Sequence, residues 1–500
     1  MDLKKWLSSP EEGHFCNIVY SFCNRYVTTL TDFCIKQDSK IYEAMKKSIS
    51  ILFLLFFLIT INSNAQDPKV AEKLLTIDEK VNGINERLAN DEADLSKLTK
   101  IKISGYTQAQ YQYFESPALL STSQNYFSLR RVMVKLTYEA ADGIKFVLQP
   151  DFTPGDFAIK DAYVVLNDHW TKSFSFTLGK FNRPDYEVEY SSSQRELPER
   201  SAIISAIYPG EHAIGAKLEY NPVNFPIHAQ LAVFNGVDGL TVNNSAGTNL
   251  NAADNIDYDN YKDIMARVTY NLSLGNFGGL DFGAHGYFGT IKSNAVKTLS
   301  TDYTTVTDIK FGDPLKRNWL DGEFQLFADV LGGLSIKGEY IAGKNATVGY
   351  APVAAVGTTA AVPGVANFQN NFAGYYLYFI KNLGKKYQFA IRYDYYDPNT
   401  DIKGQDVAVK GFTSNDATTL KSKMSGKSDL ATATIGLAFH HYFDKNIRIT
   451  LGYDIVNSEK VGTAGKVIEP YTDAHGVAGT MDWSNAINQN VFTLRIQAKF

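Results

Sequence analysis

Cysteine is almost missing from the chain, with three in 500 residues, and Cys16, Cys23 and Cys34 all precede Ala65. Downstream of Ala65 there is no material for a disulfide framework or a thiolate nucleophile. An excess of basic charge is missing too: 49 Lys and Arg stand against 53 Asp and Glu, a net charge of −4, so no global field points to nucleic acid. After Ile61 no second long apolar run occurs, which excludes helical membrane spans there. The short motifs of enzymes are absent as well: no nucleophile elbow, no phosphate-binding glycine loop and no zinc spacing. His440 and His441 are adjacent on an expected strand, so they point to opposite faces and do not share a metal. Asp254, Asp257, Asp259 and Asp263 lack the glycine and terminal glutamate of a calcium loop and read as a hydrated loop. No cofactor and no metal is expected. The remaining enzyme reading is an outer-membrane hydrolase assembling Ser and His from distant strands, around His285 or His440.

What the chain does have is aromatic side chains, 30 Tyr and 31 Phe, and alternation. The last segment, Asn490 to Phe500, puts Phe492, Leu494, Ile496, Ala498 and Phe500 on one face of a strand. Thr493, Arg495, Gln497 and Lys499 fall on the other. A soluble edge strand has this pattern, and so does the closing strand of an outer-membrane barrel, apolar towards lipid and polar towards the lumen.

The amino-terminal region points to the same address. Met45-Lys46-Lys47, the apolar run Ile49 to Ile61, and Ser63 and Ala65 at positions −3 and −1 form a secretory signal over 45–65, cleaved after Ala65. Residues 1–44 then read as a mis-annotated leader, with an internal membrane anchor as the alternative. From 66 to 100, Val70, Leu74, Ile77, Val81, Ile84, Leu88, Asp91, Leu95 and Leu98 alternate in steps of four and three. That spacing predicts a periplasmic coiled coil, suited to a trimer as well as to a dimer; a single amphipathic helix is the alternative.

Residues 101–500 are a succession of alternating segments: 101–113, 132–138, 144–148, 158–166, 174–178, 214–220, 227–233, 264–270, 280–288, 320–328, 334–342, 372–380, 387–395, 430–443 and 447–455, with the closing strand after them. Connections such as Asn221-Pro222-Val223-Asn224 and Asp444-Lys445-Asn446 are short, whereas 235–259, 291–316, 344–371, 399–429 and 458–488 are long. The fold class is all-β, a transmembrane antiparallel barrel of about 16 strands, wide enough for an aqueous channel.

Several segments carry a resemblance. Tyr126-Phe127-Ser128-Leu129-Arg130-Arg131-Val132-Met133-Val134-Lys135, the strand Lys145 to Asp151, Leu178-Gly179-Lys180-Phe181-Asn182-Arg183-Pro184, Phe234-Asn235-Gly236 and Ile391-Arg392-Tyr393-Asp394 resemble the phosphate-selective porin O and P family in its Bacteroidetes-type branch. The resemblance implies a trimeric sixteen-stranded barrel in the bacterial outer membrane, a pore narrowed by inward-folded loops, and anion selection by a ladder of arginines and a cluster of lysines. It also implies that barrel-assembly machinery reads the terminal aromatic, Phe500.

The expected function is passive diffusion of small hydrophilic solutes, anionic or neutral, with an anion or phosphate preference. An envelope-tethering or adhesin-like barrel held by its coiled coil is the alternative. Partners are further copies in a homotrimer, outer-membrane lipid, the assembly machinery and the solutes, with no nucleic acid. Candidate pore-lining and anion-binding residues are Arg131, Lys135, Lys145, Lys180, Arg183, Arg195, Arg200 and Arg392. Alternation also turns Lys102, Lys217, Arg267, Lys337, Arg448, Arg495 and Lys499 inwards, among Glu139, Asp151, Glu219, Asp321, Glu323, Glu339, Asp394 and Asp454. A lumen so mixed is not a phosphate ladder by itself. The candidate constriction runs from Asp185 to His212, where Arg195 and Arg200 lie among Glu187, Glu189, Glu196 and Glu199; an ordinary surface loop has the same composition.

Overall fold

The computed structural model describes residues 100–500 except 117–123, 156, 185–188, 190–191, 208–211, 237–240, 244–248, 252–258, 331, 353–362, 415–419, 463–466, 473–477 and 486. It also describes seven helical residues between Lys80 and Leu88. The signal segment, the leader and most of the heptad region lie outside the described residues. Within the helix, Val81, Ile84 and Leu88 are all exposed.

Among the described residues, sixteen strands close into one barrel. They are β1 (Ile101–Phe114), β2 (Asn125–Ala141), β3 (Ile144–Asp151), β4 (Ala158–Asn167), β5 (Phe174–Asn182), β6 (His212–Tyr220), β7 (Ile227–Phe234) and β8 (Asp263–Ser273). Then follow β9 (Gly278–Lys292), β10 (Pro314–Ala328), β11 (Leu334–Thr347), β12 (Asn367–Leu383), β13 (Tyr387–Asp397), β14 (Thr432–Tyr442), β15 (Ile447–Ser458) and β16 (Val491–Lys499). Each pairs antiparallel with the next, and β16 pairs back onto β1 from Tyr106↔Lys499 to Phe114↔Val491. Closure satisfies every edge, which a sheet in lipid requires. All sixteen alternating segments of the sequence are strands, most of them longer than alternation alone marks.

Burial is inverted relative to a soluble protein. On β10, Leu320 is 64 % exposed and points outwards, whereas Asp321 is 5 % exposed and points inwards. The same parity puts Leu178 outside and Thr177 inside on β5, and Ile496 outside and Arg495 inside on β16. An apolar exterior and a polar lumen are stable only where the surrounding medium is lipid. Aromatic pairs ring the end that carries the short turns: Phe174–Tyr220 at 4.8 Å, Tyr270–Phe282 at 5.5 Å and Tyr387–Phe439 at 5.8 Å between centroids. Rings at that height sit at the interface between hydrocarbon and water.

At the other end the long loops pack together. Leu299, Tyr303, Ile402, Val407, Leu430, Met481 and Trp483 form a core separate from the barrel interior. Tyr303 donates its hydroxyl to Asp429 at 2.6 Å.

Candidate functional site

The connection from β5 to β6 folds into the lumen, and its composition explains why. It contains a short helix, α1 (Ala202–Ile207), in which Ile203, Ile204 and Ile207 are almost fully buried. These isoleucines pack with Phe181, Ala213, Phe234, Met265, Tyr376, Ala390 and Ala438, all on the barrel wall. Removing such side chains from water is favourable by about 1.5–3 kcal/mol each, so an apolar patch on a polar wall draws the loop inwards. Glycines on the wall make its seats. A Cβ on Gly374 would lie 2.6 Å from Ile203 Cδ1, one on Gly436 3.0 Å from Leu197 Cδ1, and one on Gly452 2.4 Å from Pro198 Cγ.

Charge completes the fixation. The Glu189 carboxylate accepts the Ser201 amide at 2.8 Å and the Ser201 hydroxyl at 2.8 Å. It also accepts the Tyr378 hydroxyl, and Arg392 Nη1 at 3.0 Å. Burial by itself would raise its pKa; the Arg392 charge, the Tyr378 hydroxyl, the Ser201 amide and Arg195 outweigh burial and hold it below the ordinary carboxylate value. Glu199 is held down in the same way against burial, by Arg130 at 2.8 Å, Arg495 at 2.7 Å and Arg195. Lys337 reaches Glu196 at 2.9 Å. Tyr106 exchanges a hydrogen bond with Ser192 at 2.6 Å, and Gln497 donates to the Ser193 carbonyl at 3.1 Å. The loop thus touches β1, β2, β11, β12, β13 and β16.

Beside the loop a cavity of about 410 Å³ remains open. Arg131, Lys135, Lys160 and Lys499 line it, with His212, Tyr106, Gln149, Asn182 and Ser192 to Gln194; Asp161 is the one acidic side chain in its lining, and Phe500 adds its main-chain carboxylate. Asp161 lies 3.6 Å from Lys135 and 3.3 Å from His212 Nε2. Arg131 lies 3.8 Å from Asp151 behind it.

Two bulges account for the density of charge. Gln108 pairs with Arg131 and Ala109 with Leu129, so Arg130 is an extra residue, and both arginines reach the interior. Gln149 pairs with Asp161 and Pro150 with Ile159, so Lys160 is likewise extra and joins Asp161 in the cavity. Simple alternation misses Arg130 and Lys160; adjacent charged residues inside an otherwise alternating strand are the signal for them.

The candidate residues separate accordingly. Arg131 and Lys135 share the cavity. Arg195, 4 % exposed, and Arg200 belong to the inserted loop, and Arg183 is buried where that loop leaves β5. Arg392 is held between Glu189 and Asp394. Two placements differ from expectation. Lys145 pairs with Glu139 beside the short turn Asp142-Gly143. Eight residues of extended chain, about 27 Å, separate that rim from the level of Arg131. Lys180 is in register with Ala162 and Ile214, on the parity of outward Leu178 rather than inward Thr177 and Phe181, so it belongs to the outer face. Glu187 lies outside the described residues. His440 faces inwards, bonded to Thr450 at 2.9 Å, while His441 packs outside against Phe443. Among the described residues no three His, Cys, Asp or Glu side chains come together as a metal site.

A closed antiparallel barrel, apolar outside, polar inside and narrowed by its own loop, is a membrane channel of the porin class. The sequence model described as phosphate-selective porin O and P matches residues 101–481, and the chain belongs to that family. It is a porin of the bacterial outer membrane, a non-enzymatic channel for passive diffusion of small hydrophilic solutes. No curated protein sequence matches the chain. Among solved structures it is similar to the anion-selective porin of Comamonas acidovorans, at 12 % identity and a TM-score of 0.44 over 80 % of this chain and 99 % of that one. It is also similar to the channel DcaP of Acinetobacter baumannii, at 11 % identity and a TM-score of 0.46 over 80 % and 97 %. The trimer form of OmpT from Vibrio cholerae aligns at 11 % identity and a TM-score of 0.42, over 80 % and 99 %.

Proposed function

We propose that the pore prefers anions, and that Arg131, Lys135, Lys160 and Lys499 set this preference. The supporting observation is the cavity beside the inserted loop, in which four cations face Asp161. Asp151 behind Arg131 offsets a second charge and the Phe500 main-chain carboxylate a third, so the local balance stays positive although the whole chain is at −4. Local charge governs permeation because a narrow pore focuses the field while outer loops are screened within about 8 Å at physiological salt. Arg195 and Arg392 lie beside loop carboxylates and add less to the preference. The deciding measurement is the reversal potential across a planar bilayer in a salt gradient. Replacing Arg131 and Lys135 together by Gln moves it towards cations with the barrel still folded; an unchanged potential rejects the preference. Inorganic phosphate added as a competitor separates phosphate binding from general anion preference, since only a binding site reduces chloride current at low phosphate.

The chain is exported by the signal at 45–65, begins near Gln66 after cleavage, and assembles as a homotrimer whose helices from 66–100 associate through Val81, Ile84, Leu88 and their heptad partners. The exposure of those three side chains in a helix with heptad spacing supports this. Mass spectrometry of the protein from outer membranes tests the cleavage; retention of residues 1–44 rejects it.

A further inference from the structure

We infer that Glu189 is the positioning residue of the constriction, latching the neck of the inserted loop so that the pore has a fixed width. Glu189 and Ser201 lie twelve positions apart, and the Glu189 carboxylate accepts both the amide and the hydroxyl of Ser201. The intervening segment is therefore closed into a ring of the Ω-loop kind. One strand then holds both sides of that neck. Arg392 on β13 donates to Glu189 at 3.0 Å and to the Glu199 carbonyl at 2.8 Å. Asp394, two residues along, pairs with Arg392 at 2.8 Å and accepts the Ala202 amide at the start of α1 at 3.2 Å. An ionised carboxylate is acceptor-only, and Glu189 is fully buried with four donor groups around it: the Ser201 amide, the Ser201 hydroxyl, Tyr378 and Arg392. Removing it takes one of two ion-pair partners from buried Arg392, leaving Asp394, and opens the ring, while the apolar seats of α1 stay in place. The segment from Ser192 to Glu199 keeps its wall contacts with Tyr106, Gln497, Lys337, Arg130 and Arg495 but loses the closure at its neck, so it fluctuates more widely about them.

This width control and the anion preference are tested separately, because Lys135 and Lys160 lie on the wall and not on the loop. The experiment compares the wild-type porin with Glu189→Ala and Glu189→Asp, each checked for heat-modifiable mobility as a sign of a folded barrel. Single-channel recordings and liposome swelling with neutral sugars from mono- to tetrasaccharide supply the readouts. Glu189→Ala gives noisier channels, a raised sugar cut-off and conductance higher by roughly twofold, since conduction follows the narrowest section. Glu189→Asp, which keeps the charge, stays near wild type. A folded Glu189→Ala channel with wild-type conductance, noise and sugar cut-off overturns the inference, and so does a mere loss of folded protein with each remaining channel unchanged. Where Glu189→Ala fails to assemble, Glu189→Gln with Ser201→Ala decides between the same outcomes.

Discussion

Phe500 lays its ring over Gly105 across the closing seam of the barrel. The two residues exchange backbone hydrogen bonds, Gly105 N–H to the Phe500 carbonyl at 3.1 Å and Phe500 N–H to the Gly105 carbonyl at 3.0 Å. A Cβ on Gly105 would come within 2.5 Å of the ring Cζ. The last residue of the chain therefore completes the β16–β1 ladder and fills a hollow that only glycine leaves.

Two substitutions follow from this seam. Deleting Phe500 removes both hydrogen bonds and the ring, so the yield of heat-modifiable barrel falls steeply. Gly105→Val keeps Phe500 and displaces its ring, at an overpacking cost of roughly 1–3 kcal/mol, so the yield falls less. Membrane levels equal to wild type in both variants contradict the role of the seam.

Much of this architecture was legible in the sequence, for a physical reason. A strand in lipid shows its two faces to two different solvents, so period-two alternation marks it directly, and the short turns need few residues. The strand ends were not legible: β2 begins at Asn125, seven residues before its clear alternation, because rim residues meet water on both faces. The loop between β5 and β6 was legible as a candidate constriction by its length and charge. Its apolar half, α1, is masked by that charge, although Ile203-Ile204 in a polar loop is the feature that drives it inwards. Alternation also fails at bulges, which hide Arg130 and Lys160, and it says nothing of height along the pore, so it does not separate Lys145 at the rim from Arg131 at the narrowing. The segment Phe234-Asn235-Gly236 has a local cause: Gly236, with φ at +86°, offers its carbonyl to Arg317 at 3.0 Å. The Asp263 carboxylate fills the space its Cβ would need.

Height along the pore gives a paired test of the selectivity reading. Lys160 lines the cavity and Lys145 the turn-side rim. A unit charge about 6 Å from a passing ion is worth about 0.7 kcal/mol in water, a factor of about three in partitioning. The charge attracts an anion and repels a cation by the same amount, so Lys160→Gln lowers the anion-to-cation permeability ratio by up to about tenfold, while Lys145→Gln changes it little. Equal shifts from the two would mean that the narrowing does not set selectivity.

Deleting Asp67 to Lys100 leaves conduction intact, because β1 starts at Ile101 and closes the barrel with β16 without help from the preceding segment. The proposed homotrimer becomes less resistant to detergent and heat. Loss of channel activity in reconstituted, folded protein would make the heptad segment part of the pore.

Acid should release the constriction late. Glu189 and Glu199 are both held below their ordinary value of 4.5, burial opposing and Arg392 or Arg130 prevailing. A carboxylate with a depressed pKa stabilises the folded loop fully above its unfolded value and loses that contribution as pH falls through the folded one. Glu199 keeps 36 % of its side chain in solvent, where pairing with Arg130 is screened, so Glu189 carries the larger share. The contribution of these two carboxylates therefore stays constant from neutral pH downwards, and their hold on the loop loosens only well below 4.5. Protonation leaves Arg392 and Arg495 without these counter-charges, so the lumen becomes more positive as it widens. The anion-to-cation permeability ratio then rises in the same pH range in which conductance and noise increase. A single-channel series in buffered salt from pH 7 to pH 3 checks both. A transition centred above pH 5 would assign the titration to groups other than this pair, and a falling anion ratio at low pH would contradict the placement of Glu189 and Glu199 against the arginines.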